Sequence, residues 1–219
     1  MQKEVAAIVD SYRSIAAPCE GLFKDKGSRF IAYAFPFASA DELTGLMDKI
    51  RREHHGARHH CFAYRLGASK DVFRVNDDGE PSSTAGRPIL AAIDSAGYSD
   101  VLVVVVRYFG GILLGAPGLV RAYRAAAEDA LAKAEPVQKL VSESFVLEFA
   151  YGEEGAVRSF LKGQQGVVVT GRDFGMGCRL TVQMRLCEKE NFLSKLKLIN
   201  NEKSTRIQCR PVQVAPTGD

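Results

Sequence analysis

The sequence predicts an α+β protein of two domains, the second with the βαββαβ order of a ferredoxin-like fold. In the first half of the 219-residue chain, the apolar run Val101–Val106 precedes an alanine-rich stretch, a pattern typical of a buried strand followed by a helix. The hydrophobic pattern begins anew after Pro136. We therefore expect a domain boundary near residues 136–140, with domains of residues 1–138 and 139–219.

In the first domain, a helix is expected after Ser39, because Ser39 and Glu42 have the spacing of a capping box. Apolar residues then recur at helical spacing until about residues 53–56: Leu43, Leu46, Met47 and Ile50. Three later segments have the patterns of a strand, a fully buried strand and a helix: His60–Leu66, Val101–Arg107 and Pro117–Ala134.

In the second domain, apolar and polar residues alternate in the manner of half-buried strands, and helical stripes separate them. The expected elements are a strand around residues 145–149, a helix over 153–164, strands over 167–170 and 178–187, a helix around 192–199 and a strand over 207–214. In the third strand Arg179 and Arg185 share the polar face, which is the face that the two helices leave open. These arginines are candidate RNA contacts, although the aromatic side chains of many RNA-binding sheets are missing there. The alternative is a solvated polar face with no ligand.

Composition limits the class of protein. The fractions of hydrophobic and charged residues, 46% and 25%, are those of an ordinary globular protein. The five cysteines are scattered and odd in number, which favours reduced thiols in the cytoplasm. The N-terminal segment carries Lys3 and Glu4 and has no long apolar core, so we expect neither a signal peptide nor a membrane segment. The net charge is zero in residues 1–138 and +3 in residues 139–219, a bias compatible with RNA.

The segment NDDGEPSSTAGRP, residues 76–88, concentrates carboxylates, hydroxyls and glycines between a strand and a helix. The hydroxyls of Ser83 and Thr84, together with the backbone of Gly86, could donate to a phosphate at the N-terminus of the following helix. Alternatively, a hard cation could bind to three carboxylates: Asp77, Asp78 and Glu80. The simplest alternative is an elaborate turn and helix cap.

A second unusual segment, RYFGGILLGAPGL, residues 107–119, directly follows the buried strand. Gly110 and Gly111 could let backbone amides approach an anion, or they could serve close packing of a loop over the sheet. Gly110 and Gly115 have the spacing of a Walker A motif, but Ala116-Pro117 follows where Lys-Ser/Thr is required. We expect this loop and the preceding one to face one another across a shared cleft, with Glu80 near Arg107.

The two segments resemble the signature blocks of the YigZ/IMPACT family. The resemblance covers roughly residues 15–135 and extends to an A-x-H-x-C-x-A-Y-R segment formed by Ala57, His59, Cys61, Ala63, Tyr64 and Arg65. It implies an N-terminal domain like those of ribosomal proteins and GHMP kinases, and a second domain like the last domain of elongation factor G. It also implies a role linked to translation, because eukaryotic members restrain a starvation-sensing kinase pathway by competing for its activator.

One departure from the family pattern lies in the glycine-rich loop. The family reads GGIKLG, then a small residue and GGL; we assign the lost lysine to Leu114, and Ala116-Pro117 replaces a flexible pair. The loss of this cation weakens a phosphate site, but three candidate anion contacts remain: Arg87, Arg107 and Arg121.

All four histidines lie in HHGARHH, residues 54–60, which suggests a metal site at first sight. Neighbouring residues of a strand point to opposite faces, however, so His59 and His60 do not easily chelate one ion. We expect no metal and no cofactor here, and only His59, which matches the family segment, is a candidate ligand-binding residue.

The leading hypothesis is a non-catalytic, translation-associated regulator that binds RNA, the ribosome or a translation-linked protein, with no DNA and no membrane as partner. The alternative is a metal- or phosphate-dependent enzyme that acts on a nucleotide or phosphorylated substrate between the two loops. A pure scaffold is a third reading.

Overall fold

The computed structural model describes residues 10–175, 177–203 and 205–212. The expectations for Lys3, Glu4 and the end of the last strand at residues 213–214 lie outside these ranges. The chain is mixed α/β and divides into two compact units. The first unit comprises residues 11–139, and the second comprises Asp10 and the chain from residue 140 onward. No helix in the described ranges has both the length and the apolar character needed to cross a membrane.

The first unit contains seven strands and three helices. The strands are β1 (Ser11–Ile15), β2 (Cys19–Asp25), β3 (Ser28–Pro36), β4 (His59–Leu66), β5 (Val72–Asn76), β6 (Val101–Tyr108) and β7 (Pro136–Leu140). The helices are α1 (Leu43–Glu53), α2 (Gly86–Ala96) and α3 (Gly115–Ala132).

Five of these strands form an antiparallel sheet in the order β2-β3-β6-β4-β5. Strand β6 is central, and its residues from Val101 to Arg107 are all buried, as the apolar run predicted. Helices α2 and α3 cover one face of the sheet, and α1 packs against the other. Strands β1 and β7 pair separately as a two-stranded sheet.

Local signals set several of these elements. The predicted capping box is present: the Ser39 hydroxyl accepts from the Asp41 amide, and the Glu42 carboxylate accepts from the Ser39 amide at 3.0 Å. A two-residue turn, Lys26-Gly27, joins β2 to β3 with both φ angles positive, at 44° and 79°. Such turns match the twist of an antiparallel hairpin. The sequence argument assigned no element before Ser39, and the structure adds β1, β2 and β3 there.

The second unit contains the strands β8 (Ser142–Phe149), β9 (Val167–Phe174), β10 (Cys178–Arg185) and β11 (Gln208–Pro211). Its helices are α4 (Glu154–Lys162) and α5 (Lys189–Glu202). The chain order is βαββαβ, as predicted, and the sheet order is β11-β8-β10-β9. One face of this sheet packs against the helices through a core that includes Leu147, Val182 and Phe192.

Candidate functional site

The two unusual loops meet at one edge of the first unit's sheet. Strands β5 and β6 both pair antiparallel with β4, which lies between them, so they run in the same direction. The loops that follow them, residues 77–85 and 109–114, therefore leave the sheet at the same edge. The expected approach of Glu80 to Arg107 agrees with the structure, but the two side chains are buried and do not face one another across an open cleft. Because this sheet is antiparallel, the arrangement does not follow from the rule that ligand-binding loops lie at the carboxyl ends of strands in open parallel sheets.

A buried ion pair joins the two loops. The Arg107 guanidinium donates to Oε1 of Glu80 at 2.6 Å, and their side chains are only 8% and 3% exposed. The same oxygen accepts a hydrogen bond of 2.8 Å from the Tyr123 hydroxyl on α3. The guanidinium also lies between two aromatic rings, with centroid distances of 5.6 Å to Phe30 and 5.5 Å to Phe109. These five residues, which we call the Glu80 cluster, fill the meeting point of the loops.

Sequence reasoning named Glu80 and Arg107 but missed two polar neighbours. The Sγ atom of Cys61 lies 3.4 Å from the Tyr123 hydroxyl oxygen and donates to the carbonyl oxygen of Asp77 at 3.0 Å. Burial raises the pKa of Cys61 and that of Tyr123. The Cys61 thiol is therefore protonated and poorly suited to act as a nucleophile. A tyrosine in an otherwise alanine-rich helix was the sequence signal for a buried polar contact.

The carboxylate of Asp77 caps helix α2. Its Oδ1 accepts from the backbone amides of Ala85 and Gly86 at 3.0 and 2.8 Å, and its Oδ2 accepts from the Ser83 amide at 2.8 Å. An intramolecular anion thus occupies the helix N-terminus where the sequence suggested a phosphate. The idea that the Gly86 amide is free for a bound phosphate is wrong.

Asp78 and the histidines form a second local network. Asp78 accepts from the His60 amide at 2.7 Å, and its own carbonyl oxygen lies 2.8 Å from Nδ1 of His59. His54 bridges the hydroxyls of Tyr33 and Tyr108, at 2.7 and 2.9 Å from its ring nitrogens. His60 is buried, and this burial lowers its pKa although the nearby Asp78 carboxylate opposes the shift. His59 and His60 therefore contact different atoms of Asp78, whereas His54 contacts two tyrosines.

The three carboxylates of the loop do not converge on a common position where they could bind one cation. Asp77, Asp78 and Glu80 bind a helix end, a strand amide and a guanidinium respectively. Within residues 10–175, 177–203 and 205–212, no three His, Cys, Asp or Glu side chains are grouped so that they could hold a metal ion.

The remaining polar residues of the first loop divide into inward and outward side chains. Thr84 is buried, and its hydroxyl donates to the carbonyl oxygen of Pro81 at 2.6 Å. Ser83 is exposed and has a φ of 63°, a conformation that costs a non-glycine residue energy. Arg87 is exposed on the first turn of α2. Arg121 is also exposed, but it pairs with Asp25 at 2.6 Å.

Gly110 and Gly111 have structural reasons to be glycine. A Cβ atom at Gly110 would lie 2.0 Å from the carbonyl carbon of Gly27, so the loop packs directly on the β2–β3 turn. Gly111 has a φ of 88°, which a side chain would strain. Close packing therefore accounts for Gly110, whereas the backbone conformation accounts for Gly111, where a Cβ atom would meet no neighbour within 4 Å.

The same loop exposes apolar side chains. Phe109, Ile112 and Leu113 are 55%, 55% and 81% exposed. When GGILLG is aligned with GGIKLG from its glycine pair, the lysine position is Leu113, so our assignment of that position to Leu114 is wrong. Leu114 instead packs partly buried against the core of the first unit.

Arg179 and Arg185 lie on the sheet face of the second unit that the helices leave open, as predicted. Each has an acidic partner: Nε of Arg179 donates to Glu148 at 3.0 Å, and Arg185 donates to Asp10 at 2.5 Å. A third arginine of this face, Arg210, lies 3.8 Å from Glu148. The cations of the open face are therefore largely neutralised by neighbouring carboxylates.

Comparison with known proteins identifies relatives of both units. The family model described as Impact N-terminal domain matches residues 26–131, a span that contains both loops. The IMPACT family member YigZ of Escherichia coli K12 is 33% identical over 190 residues, covering 86% of this chain and 93% of that protein. An IMPACT family member of Haemophilus influenzae is 36% identical over 173 residues, covering 78% and 84%. A crystal structure described as that of a hypothetical protein has a TM-score of 0.70 and 30% identity, covering 94% of this chain and 99% of the other.

Proposed function

Because this chain belongs to the IMPACT family, we propose that it is a non-catalytic regulator associated with translation. It acts by binding RNA, the ribosome or a translation-linked protein. The family resemblance supports the link to translation, since it implies such a role for members that share the two signature loops.

The observation that carries the proposal is that the polar groups of the signature loops bind one another. Glu80 and Arg107 form a buried pair, and Asp77 is held by three backbone amides. The loops offer apolar groups to solvent instead, above all Leu113. Exposed apolar side chains on a rigid frame suit a contact surface better than they suit proton or phosphoryl transfer.

The fold names support the same proposal. The sheet order of the second unit places its first strand between the fourth and the third, with the second strand at an edge, which is the arrangement of a ferredoxin-like fold. We propose that this unit corresponds to the last domain of elongation factor G and the first to the ribosomal-protein and GHMP-kinase type. The five cysteines are free, in keeping with a cytoplasmic location.

Crosslinking in cells tests the proposal directly. The tagged chain is crosslinked, the bound RNA is sequenced and the bound proteins are identified, and ribosome co-sedimentation is measured in parallel. The expected result is enrichment of ribosomal RNA or of translation factors. Leu113→Glu, which alters an 81% exposed side chain, should weaken a contact made by the signature loop. Leu198→Glu is the matched control, because Leu198 is also exposed and lies on α5 in the other unit.

Two outcomes would reject the proposal. One is the recovery of no RNA, ribosome or translation-linked protein above an untagged control. The other is turnover of a phosphorylated small molecule that is lost on substitution of Asp78 or Arg87, which would favour the enzyme alternative.

A further inference from the structure

A groove between α4 and β9 of the second unit has a different charge from the open sheet face. Its volume is about 420 Å³, and Leu161 contributes to an apolar wall. Three cationic side chains and one carboxylate line it: Arg158, Lys162, Arg172 and Glu154. Glu154 pairs with Arg158 at 2.6 Å. Within the described parts of the chain, Lys162 and Arg172 have no acidic partner within 4 Å, so the groove retains a positive charge.

One exposed aromatic ring lines this groove, and a second exposed ring is hydrogen-bonded to the residue that follows the first one in the chain. Phe174 lines it and is 48% exposed. Tyr151 is 57% exposed, and its hydroxyl donates to the carbonyl oxygen of Gly175, the residue that follows Phe174, at 2.9 Å. An aromatic ring in water beside unpaired cations provides a stacking surface for a base and charge for the adjacent phosphates. On the open face, by contrast, Arg179 and Arg185 are paired with Glu148 and Asp10.

We infer that the groove between α4 and β9 binds single-stranded RNA. This inference rests on the proposed function and names the surface through which the second unit contacts RNA. A base stacks on Phe174, and the flanking phosphates bind Lys162 and Arg172. Among the described strands, β9 pairs with β10 alone and is an edge of the sheet, so its outer backbone groups are available to ribose hydroxyls.

Fluorescence anisotropy with a labelled single-stranded uridine oligonucleotide tests this on the full chain. The affinity of the double variant Lys162→Glu/Arg172→Glu should be lower by about tenfold or more. The slope of the logarithm of its binding constant against the logarithm of the salt concentration should be shallower by about 1.4, because two phosphate contacts are lost. Phe174→Leu keeps an apolar side chain but removes the ring, and it should weaken binding roughly fivefold to a hundredfold.

Two further variants make the test specific. Lys197→Glu/Lys203→Glu changes the net charge by the same amount at exposed positions of the same unit and should leave affinity within about twofold. Arg179→Glu/Arg185→Glu tests the open face and should have a smaller effect than the groove variant. Circular dichroism and thermal unfolding establish that each variant is folded.

The outcomes separate the inference from the proposed function. If the wild type binds RNA and the groove variants bind equally well, the groove is not the site, although the regulator proposal stands. If polyglutamate displaces the oligonucleotide at equal concentration, the groove is an acidic-peptide site and the inference is wrong. If the wild type binds neither RNA nor any translation-linked protein, the proposed function fails as well.

Discussion

Glu80 accepts hydrogen bonds from two side chains through a single oxygen, and the charge that it neutralises is itself buried. Arg107 lies at the end of the central strand, where water has little access to its guanidinium. A buried cation without its carboxylate is much less stable than either a paired cation or an apolar replacement. The signature residues Glu80 and Arg107 therefore depend on each other for stability before they serve any contact.

We predict that Glu80→Gln lowers the free energy of unfolding by about 3–5 kcal/mol, because it leaves Arg107 as an unpaired buried charge. Glu128→Gln is the matched control. Its partner Arg124 lies one helical turn away on α3, and both side chains are about half exposed, so the cost should be at most about 0.5 kcal/mol. Urea unfolding measures both values. Equal costs for the two variants would show that the buried pair contributes no more than a surface pair.

His60 makes the stability of the first unit dependent on pH. Burial lowers its pKa below the ordinary value of 6.5, so the unfolded chain takes up a proton at a higher pH than the folded chain. The unfolded state then binds more protons as the pH falls below 6.5. The contribution of this group is constant above that pH, and below it the folded state loses stability.

His60→Gln should therefore reduce the loss of stability between about pH 7.5 and about pH 5.5, relative to the wild type. His55→Gln, at an exposed histidine, should leave this loss unchanged. Urea midpoints at the two pH values provide the comparison. A ring-proton titration that places the pKa of His60 at or above 6.5 would contradict the argument.

At the scale of elements, the 77–85 loop holds the start of helix α2. The N-cap residue of this helix, Ala85, makes no capping hydrogen bond with its side chain. The Asp77 carboxylate caps the helix instead, from a position eight residues earlier in the chain. The loop has two non-glycine residues at positive φ, Asp78 at 40° and Ser83 at 63°. Hydrogen bonds to Asp77 help to maintain that conformation.

Asp77→Ala should destabilise the first unit by about 2 kcal/mol, since three backbone amides lose a charged acceptor. Asp71→Ala, at an exposed aspartate just before β5, should change the stability by less than about 0.5 kcal/mol. Hydrogen exchange of the Ser83, Ala85 and Gly86 amides locates the effect. Unchanged protection of these amides in Asp77→Ala would refute the capping role.

The sequence predicts an element of the fold when the residues that determine it lie close together in the chain. The capping box at Ser39, the apolar strand β6 and the βαββαβ order of the second unit follow from residues close together in the chain, and all three agree with the structure. Strands β2 and β3 were missed although the Lys26-Gly27 turn is itself a local hairpin signal. Strand β7 was missed because its partner, β1, lies more than 100 residues away.

The candidate site was predictable to a similar degree. Its two loops are conspicuous in composition, and the approach of Glu80 to Arg107 follows from placing both loops at one sheet edge. The participation of Tyr123 and Cys61 depends on which way helix α3 faces, and the neutralisation of Arg179 and Arg185 depends on cross-strand and terminal partners. Neither is encoded in local spacing.

For the whole molecule, the division into two units leads to a prediction about fragments. The second unit has its own core of twelve buried residues, which include Phe145, Leu147, Val182 and Phe192. It also contains all four strands of its sheet. Among the described residues of this unit, a fragment of residues 139–219 lacks Asp10, whose carbonyl oxygen accepts from the Val141 amide and whose carboxylate pairs with the half-exposed Arg185; an exposed ion pair of this kind contributes little.

We predict that residues 139–219 give a dispersed amide spectrum. A fragment that begins at residue 147 is the control. It lacks five of the eight residues of β8, which lies between β11 and β10, and should be unfolded. A random-coil spectrum from the longer fragment would contradict the boundary near residues 136–140.

The pairing of β1 with β7 places the two ends of the first unit side by side. During synthesis, strand β1 must therefore remain unpaired until residue 140 has left the ribosomal exit tunnel, about ten seconds later at ordinary elongation rates. The five-stranded sheet, whose strands are complete by Tyr108, can form earlier. A circular permutant of the first unit can be made by joining the end of β7 to the start of β1 with a short peptide and opening the chain in a surface loop. In this permutant β1 and β7 should form a hairpin and pair early.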